Sequence, residues 1–243
     1  MNNNMIPLSL NDTFTFSCSE QVPCFNECCK DLNQALTPYD ILRLKNHLDV
    51  SSSSFLERYI SQHIGPESGL PIITLKTDHA RKLKCPFVTI TGCSVYEDRP
   101  SSCRIYPLVR AASRSRETGE IVEQYMLLKE SHCLGFHQSQ AQTVRDWVEN
   151  QGLSIYNQLN DMLMDIISLK NILKPGQLDF KSGRLFHRAC YDLDTFRSHI
   201  FARGILNDQK IDPGTLDLVK EDDVELLKLG FKWIKQELFG KTV

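Results

Sequence analysis

Apolar residues fall into two rhythms along this chain. Helical spacing is clearest where Thr37-Pro38-Tyr39-Asp40 joins a preferred N-cap, a proline at the first helical position and an acid at the third, followed by Ile41, Leu42, Leu44 and Leu48. This predicts a helix over Pro38–Leu48. Ser54 with Glu57 three residues later predicts a second, shorter helix through Phe55, Tyr59 and Ile60, ending near Gly65-Pro66. Beyond Ser139 the helical rhythm returns with Val144, Trp147 and Val148 and, after Gly152, with Tyr156, Leu159, Leu163, Ile166 and Ile167, as one long helix broken at the glycine. Pro175-Gly176 marks a linker, and Tyr191–Leu206 and Asp223–Phe239 read as further amphipathic helices.

The other rhythm is short and β-like. Alternation around Thr13-Phe14-Thr15-Phe16 predicts a strand that delivers Cys18, and the proline- and cysteine-rich stretch from Cys18 to Lys30 reads as a tight loop. Pro71–Leu75 and Phe87–Ile90 are β-rich runs, Gly92 supplies a turn before Cys93, and Ile121–Leu128 is a further strand. Between them Arg110–Gly119 reads as an exposed loop, whose Arg110, Arg114 and Arg116 are expected to be solvated rather than to bind an anion. The expected fold is α+β and mostly helical. A small irregular cysteine-rich core with short strands occupies 1–138, with helices 38–63 over one side of the cysteine loop, and a helical extension, 139–243, packs on it. No internal repeat or low-complexity tract is visible.

At 41% apolar and 24% charged over 243 residues, the chain is long enough for one sizeable core or two small ones. A net charge of −2 provides no global attraction to nucleic acid or to an anionic membrane surface. The most apolar stretch, Met162–Leu169, is interrupted by Asp165 and Ser168, so no membrane helix is predicted. The first ten residues lack the basic start and apolar stretch of a secretory signal, and a cytoplasmic location is expected.

Composition becomes informative at cysteine. Nine cysteines are many for a chain in a reducing compartment, where disulfides are disfavoured and free thiols are open to oxidation. Cys190, alone in an apolar helical context, is expected to be a buried core residue. The other eight fall into three patches: Cys18, Cys24, Cys28 and Cys29; then Cys85, Cys93 and Cys103; then Cys133. Thiolates gathered on irregular backbone suit zinc or iron–sulfur chemistry and not calcium or magnesium. Zinc ribbons use short Cys-x-x-Cys knuckles, of which this chain has none, whereas iron–sulfur clusters accept more varied spacings. The expected cofactor is therefore an iron–sulfur cluster, with Zn2+ as the alternative. Neighbouring side chains on extended backbone point apart, so Cys28 and Cys29 either serve two sites or only one of them binds. Eight thiols could fill two four-thiolate centres, or four could hold one cluster. His132 reads as a residue behind a ligand or at the surface. Any single cysteine could equally be a small buried apolar residue.

The ordered motifs Phe16-x-Cys18, Cys24-x3-Cys28-Cys29, Cys85-Pro86-Phe87, Gly92-Cys93-Ser94-Val95-Tyr96-Glu97-Asp98-Arg99-Pro100 and Cys103-Arg104-Ile105-Tyr106-Pro107 resemble the YkgJ-type cysteine-cluster family over roughly residues 14 to 136. That resemblance implies a zinc- or iron-chelating domain, often labelled an Fe–S oxidoreductase. It departs in the first cluster, where five residues separate Cys18 from Cys24 and many members have fewer. The family resemblance extends to a flagellin lysine methylase, but no glycine-rich nucleotide loop follows a strand here. Nor is there a Walker loop, a His-Glu-x-x-His, a Gly-x-Ser-x-Gly or a Cys-x3-Cys-x2-Cys triplet.

Between the thiols, Arg99 and Arg104 could offset thiolate charge or pair with Glu97 or Asp98, and Pro100 is expected near a helix start. Phe16, Phe25, Phe87, Tyr96 and Tyr106 could shield a cluster from water or form ordinary core. Three functions follow as expectations: an iron–sulfur protein with an electron-transfer or undefined redox role and an unidentified partner, a structural zinc module that binds a partner protein, and a lysine methylase-like activity.

Overall fold

The computed structural model describes residues 4–32, 35–77, 82–115, 117–207 and 211–240; Arg116 and the first three residues lie outside the described residues. In chain order the elements are β1 (Met5–Leu8), β2 (Thr13–Thr15), α1 (Pro38–His47), α2 (Ser52–Tyr59), β3 (Ile60–Ile64), β4 (Pro71–Leu75), β5 (Val88–Thr89), β6 (Gly92–Cys93), α3 (Ser101–Ile105), β7 (Leu108–Arg114), β8 (Ile121–Leu128), β9 (Ala141–Thr143), α4 (Val144–Asn150), α5 (Ser154–Leu173), α6 (Phe180–Cys190), α7 (Leu193–Arg203), α8 (Pro213–Leu218) and α9 (Asp223–Phe239). The fold is α+β, with short strands in the cysteine-bearing half and helices beyond. They form two compact units that interleave along the chain: Met1–Gln34 with Thr77–Asp161, and Ala35–Lys76 with Met162–Val243.

The first unit carries the cysteine loops. Its sheet has the order β1-β8-β7, all antiparallel, with β2-β9 and the hairpin β5-β6 beside it in sequence but separately paired. Phe14, Phe16, Leu108, Tyr125, Leu127 and Val144 close into one buried cluster. Trp147 on α4 stands edge-on to Phe14 and Phe16, at 6.0 and 5.7 Å between ring centres, and donates its indole N–H to the Ile105 carbonyl at 2.8 Å.

Two expectations change here. Arg110–Gly119 is not all loop, because β7 runs on to Arg114 and pairs residue by residue with β8 as far as Arg114 opposite Ile121. Ladder hydrogen bonds to a strand already committed to the sheet outweigh the polar composition. Arg110 is not a free anion site: Asp161 accepts from it at 2.9 Å, and Glu123 holds its other edge. Likewise Ala141–Thr143 is a strand on β2 before the helical region starts. Gly152, at φ 61, separates α4 from α5 in the left-handed conformation that the expected break requires.

The second unit contains the β3-β4 hairpin and the helices packed around α6, α7 and α9. α1 starts as expected, with a reciprocal capping box between Thr37 and Asp40 and Pro38 at its first position. α2 starts earlier than expected, because Ser51 rather than Ser54 supplies the cap, accepting from the Ser54 N–H. It also ends earlier: Ile60–Ile64 turns extended and pairs with β4, whose Ile73 is buried. α6 was not foreseen. Asp179 caps it by accepting from the Ser182 N–H at 2.9 Å, and Phe186, Ala189 and Cys190 face inward. The helix expected over Tyr191–Leu206 is α7 alone: it starts after Asp192, which makes no side-chain cap hydrogen bond, and Gly204 at φ 63 ends it. The short α8 is a further addition, capped by Asp212 ahead of Pro213.

Charge is buried in this unit only with partners. Lys170, fully buried, donates to the Ser68 and Gly176 carbonyls. Lys45 reaches Asp223 at 2.8 Å and Asp194 at 3.6 Å, and Arg197 meets Asp223 from the other side. Burial opposes ionisation of Asp223, but the hydrogen bonds from Lys45 and Arg197 outweigh it and hold the carboxyl below the usual range. A depressed carboxyl contributes stability above its unfolded value of about 4, and loses it as pH falls through the folded value. Asp223→Asn is therefore expected to cost about 2 kcal/mol at pH 7, by leaving Lys45 and Arg197 to share Asp194, and to flatten the fall of the melting temperature between pH 5 and 3. Thermal denaturation against pH checks both; an unchanged acid limb would remove Asp223 from this role.

Candidate metal centre

The aromatic core places the cysteine loops. β2 runs into buried Phe16, and the Ser17 N–H donates to the Gly135 carbonyl at 3.1 Å, which brings Cys18 beside the turn that carries Cys133. Gly135 is needed at this contact, because a Cβ there would lie 2.6 Å from the Phe16 ring. The Leu134 N–H donates to Cys24 Sγ at 3.1 Å, closing the same approach from the other loop. Cys28 and Cys29 sit on the 3-10 turn Glu27–Cys29, entered through Asn26 at φ 67. From there the Cys29 carbonyl accepts from the Cys85 N–H at 2.9 Å, and Lys30 bridges to Lys84. Cys93 is in β6, paired with Val88. Cys103 is on α3, which follows Pro100 as the sequence predicts.

Solvent reaches Cys18 and Cys28, Cys85 is buried, and Cys24, Cys29, Cys93, Cys103 and Cys133 are half-buried. None of the nine cysteines forms a disulfide. The sulfurs sort electrostatically into two neighbourhoods. Cys18 is pushed up to about 11, first by desolvation and then by Cys28, Cys24 and Cys133, against a smaller pull from Arg99. Cys29 lies beside Cys28, Cys85 and Cys103, and its thiol is driven well above the ordinary range because it donates to Cys28 and is desolvated. Cys28 is the receiving partner, lowered to about 7 chiefly by that hydrogen bond. The adjacent pair thus joins the two neighbourhoods. Cys133 is raised by desolvation, with Cys24 as a further cause. Cys93 is also raised by desolvation, with Arg99 pulling the other way.

Arg99 is 9% exposed. It lies over the Tyr96 ring at 3.7 Å and donates to the Tyr96 carbonyl and the Gln151 side chain. Arg104 donates to the Gln151 and Glu97 carbonyls and stacks on Tyr156. Both guanidinium groups donate to uncharged acceptors, Arg104 Nε is buried without a hydrogen-bond partner among the described residues, and Arg99 bears electrostatically on Cys18, Cys93 and Cys103. Phe16 and Phe87 are buried, Phe25 lies against Gly92, and Tyr96 is 55% exposed under Arg99.

Two neighbours, Glu130 and Gln151, escape sequence reasoning. Tyr106 donates to Glu130 at 2.9 Å; its hydroxyl is raised first by burial and then by Cys133. Glu130 also bears on Cys28, and His132 is a surface group 3.8 Å from Glu130. Gln151, clamped between Arg99 and Arg104, is 52 and 47 residues from them and carries no local signal. Cys190 is fully buried in α6 and its thiol is raised by burial alone.

Whether these residues fit a metal depends on donor chemistry as much as position. Thiols from three sequence patches bear on one another, several opposing their neighbours' ionisation, which is the setting a cation would reverse. Among the described residues, no group of three or more His, Cys, Asp or Glu side chains is already set to hold a metal ion. The donor type therefore fits a soft metal, and the rotamers as they stand do not form a closed coordination shell. Among the described residues, no helix is long and apolar enough to cross a membrane.

Residues 17–134 match a family model, CxxCxxCC, described as a "Putative zinc- or iron-chelating domain". No curated protein and no solved structure matches the chain.

The Cys28–Cys29 pair yields a test in metal-free, reduced protein. Cys28 is expected to be the first thiol alkylated by iodoacetamide near pH 7, located by peptide mass mapping. Cys29→Ala removes the donor, so the pH midpoint of Cys28 alkylation should rise toward the ordinary thiol value of about 8.5. An unmoved midpoint would show that the Cys29 hydrogen bond is not what lowers it.

Proposed function

Residues 17–134 belong to the CxxCxxCC family of zinc- or iron-chelating domains, and from this premise we propose that their thiols ligate an iron–sulfur centre with an electron-transfer role. The observation that carries the reading is the meeting of the cysteine loops: the Leu134 N–H reaches Cys24 Sγ, Ser17 reaches Gly135 near Cys133, and the Cys85 N–H reaches the Cys29 carbonyl, with Cys18, Cys28 and Cys103 within electrostatic reach of these thiols. Such proximity costs free energy for bare thiolates and is relieved by a cation. Cys93, one strand residue from Gly92 and under the influence of Arg99, completes the candidates.

Iron is favoured over zinc by the spacing, because no Cys-x-x-Cys knuckle is present. An iron–sulfur centre, when bound, supplies a reversible one-electron store. The chain's own residues supply the rest. Thiolates donate to the metal, Arg99 places positive charge next to Cys18, Cys93 and Cys103, and buried Phe16 and Phe87 limit water on the inner side. The Leu134 N–H on Cys24 Sγ is the kind of backbone contact that raises the potential of a thiolate-bound centre. The electron partner is another molecule that can approach exposed Cys18 and Cys28.

Metal and acid-labile sulfide analysis of anaerobically purified protein, with its absorption spectrum, tests this. Iron with matching sulfide and a broad visible band that bleaches on reduction is expected, with loss of both in Cys28→Ser, Cys93→Ser and Cys103→Ser. Stoichiometric zinc without sulfide, in a colourless protein, would replace the redox reading with a zinc-stapled interaction module.

A further inference from the structure

The second unit has a cleft of its own, about 440 Å³, between the β3-β4 hairpin and the α6–α7 corner. Its α6 wall presents Arg184 and Arg188, one helical turn apart, which puts their side chains on one face about 6 Å apart at the base. Desolvation and then Arg184 and Arg203 disfavour the charged form of Arg188, against a smaller pull from Asp192 in the cleft wall. Among the described residues, no carboxylate stands within ion-pair distance of Arg184, Arg188 or Arg203. Elsewhere in this unit Lys45, Arg197 and Lys235 all meet acids. Acids outnumber bases in the chain, 30 to 28, so three arginines left together without one are not forced by composition.

The two acids in the cleft wall are already engaged. Asp179 accepts from the Ser182 N–H and hydroxyl, and Asp192 accepts from the hydroxyls of Ser52 and Ser53. At the mouth Phe180 is 80% exposed, with the Arg184 guanidinium 5.6 Å from its ring centre. An exposed ring beside two forked donors offers a stacking surface and a dianion clamp within one helical turn of each other. We propose that this cleft binds a small phosphate monoester carrying an aromatic ring, its phosphate held by Arg184 and Arg188 and its ring stacked on Phe180. A phosphate dianion fits paired guanidinium groups better than a single carboxylate does, because it can accept from both at once. The site is independent of the thiol chemistry.

Titration of the full chain, as purified, with inorganic phosphate and with adenosine 5′-monophosphate tests the assignment by calorimetry. Both probes are expected to bind, the monophosphate several-fold more tightly, and both to weaken as salt is raised. Arg184→Gln with Arg188→Gln should weaken both at least tenfold. Phe180→Ala should weaken the monophosphate several-fold and leave inorganic phosphate unchanged. Arg184→Gln alone, at an exposed position, gives the same direction with little risk to the fold, which circular dichroism and melting temperature verify. No binding of either probe at 10-fold below crowded millimolar concentration, or affinities indifferent to the arginine variants, would overturn the site. A monophosphate that binds no better than phosphate and ignores Phe180→Ala would overturn the ligand class.

Discussion

Irregular backbone cannot hold itself in place, and Cys18, Cys24, Cys85 and Cys133 sit on it, with Cys28 and Cys29 on a single 3-10 turn. What fixes them is a small set of hydrogen bonds hung on the aromatic cluster around Phe16. Ser17 reaches Gly135, Leu134 reaches Cys24 Sγ, and Cys85 reaches the Cys29 carbonyl. Each joins loops distant in sequence, so the loop-closure entropy is met by the sheet and by Phe14, Phe16 and Trp147 rather than by the loops themselves. A burial-driven core thus supports an assembly of like-charging groups that would not gather by their own attraction.

The consequence is an electrostatic imbalance within the first unit. Partly desolvated thiols lie near one another, while Arg99 is buried next to them and, among the described residues, meets a carbonyl, an amide and an aromatic face. Bare, both features are costly. A bound cation with thiolate ligands would remove the first, and the net negative charge of such a centre would give Arg99 a counter-charge. The chelating reading and the position of Arg99 therefore support the same arrangement from opposite signs of charge.

The second unit shows the contrasting solution. Lys45, Arg197 and Asp223 neutralise one another inside the helical core, and Lys170 is spent on two carbonyls. Against that background the unpaired arginines of α6 and α7 are conspicuous, since the same unit shows how readily it pairs charge where charge is only structural. Cys190, sealed in α6, belongs to this packing and not to the thiol chemistry.

Local signals were legible where local physics decides. The Thr37–Asp40 box and Pro38 begin α1, Gly152 divides α4 from α5, and α9 spans Asp223–Phe239, because caps, positive φ and an apolar stripe are properties of a few adjacent residues. The cysteine patches and the chelating family were legible for the same reason: ligand type and spacing are written in the chain. Strand pairing was not. Arg110–Arg114 and Ala141–Thr143 become strands only because β8 and β2 offer them a ladder, and Ile60–Ile64 leaves a helical rhythm to meet β4. Only tertiary structure could decide which cysteine loops meet, that Gln151 is clamped by Arg99 and Arg104, and that Arg184 and Arg188 line a cleft with the β3-β4 hairpin. Those are distances between segments far apart in sequence, fixed by the packing of side chains that carry no record of their partners.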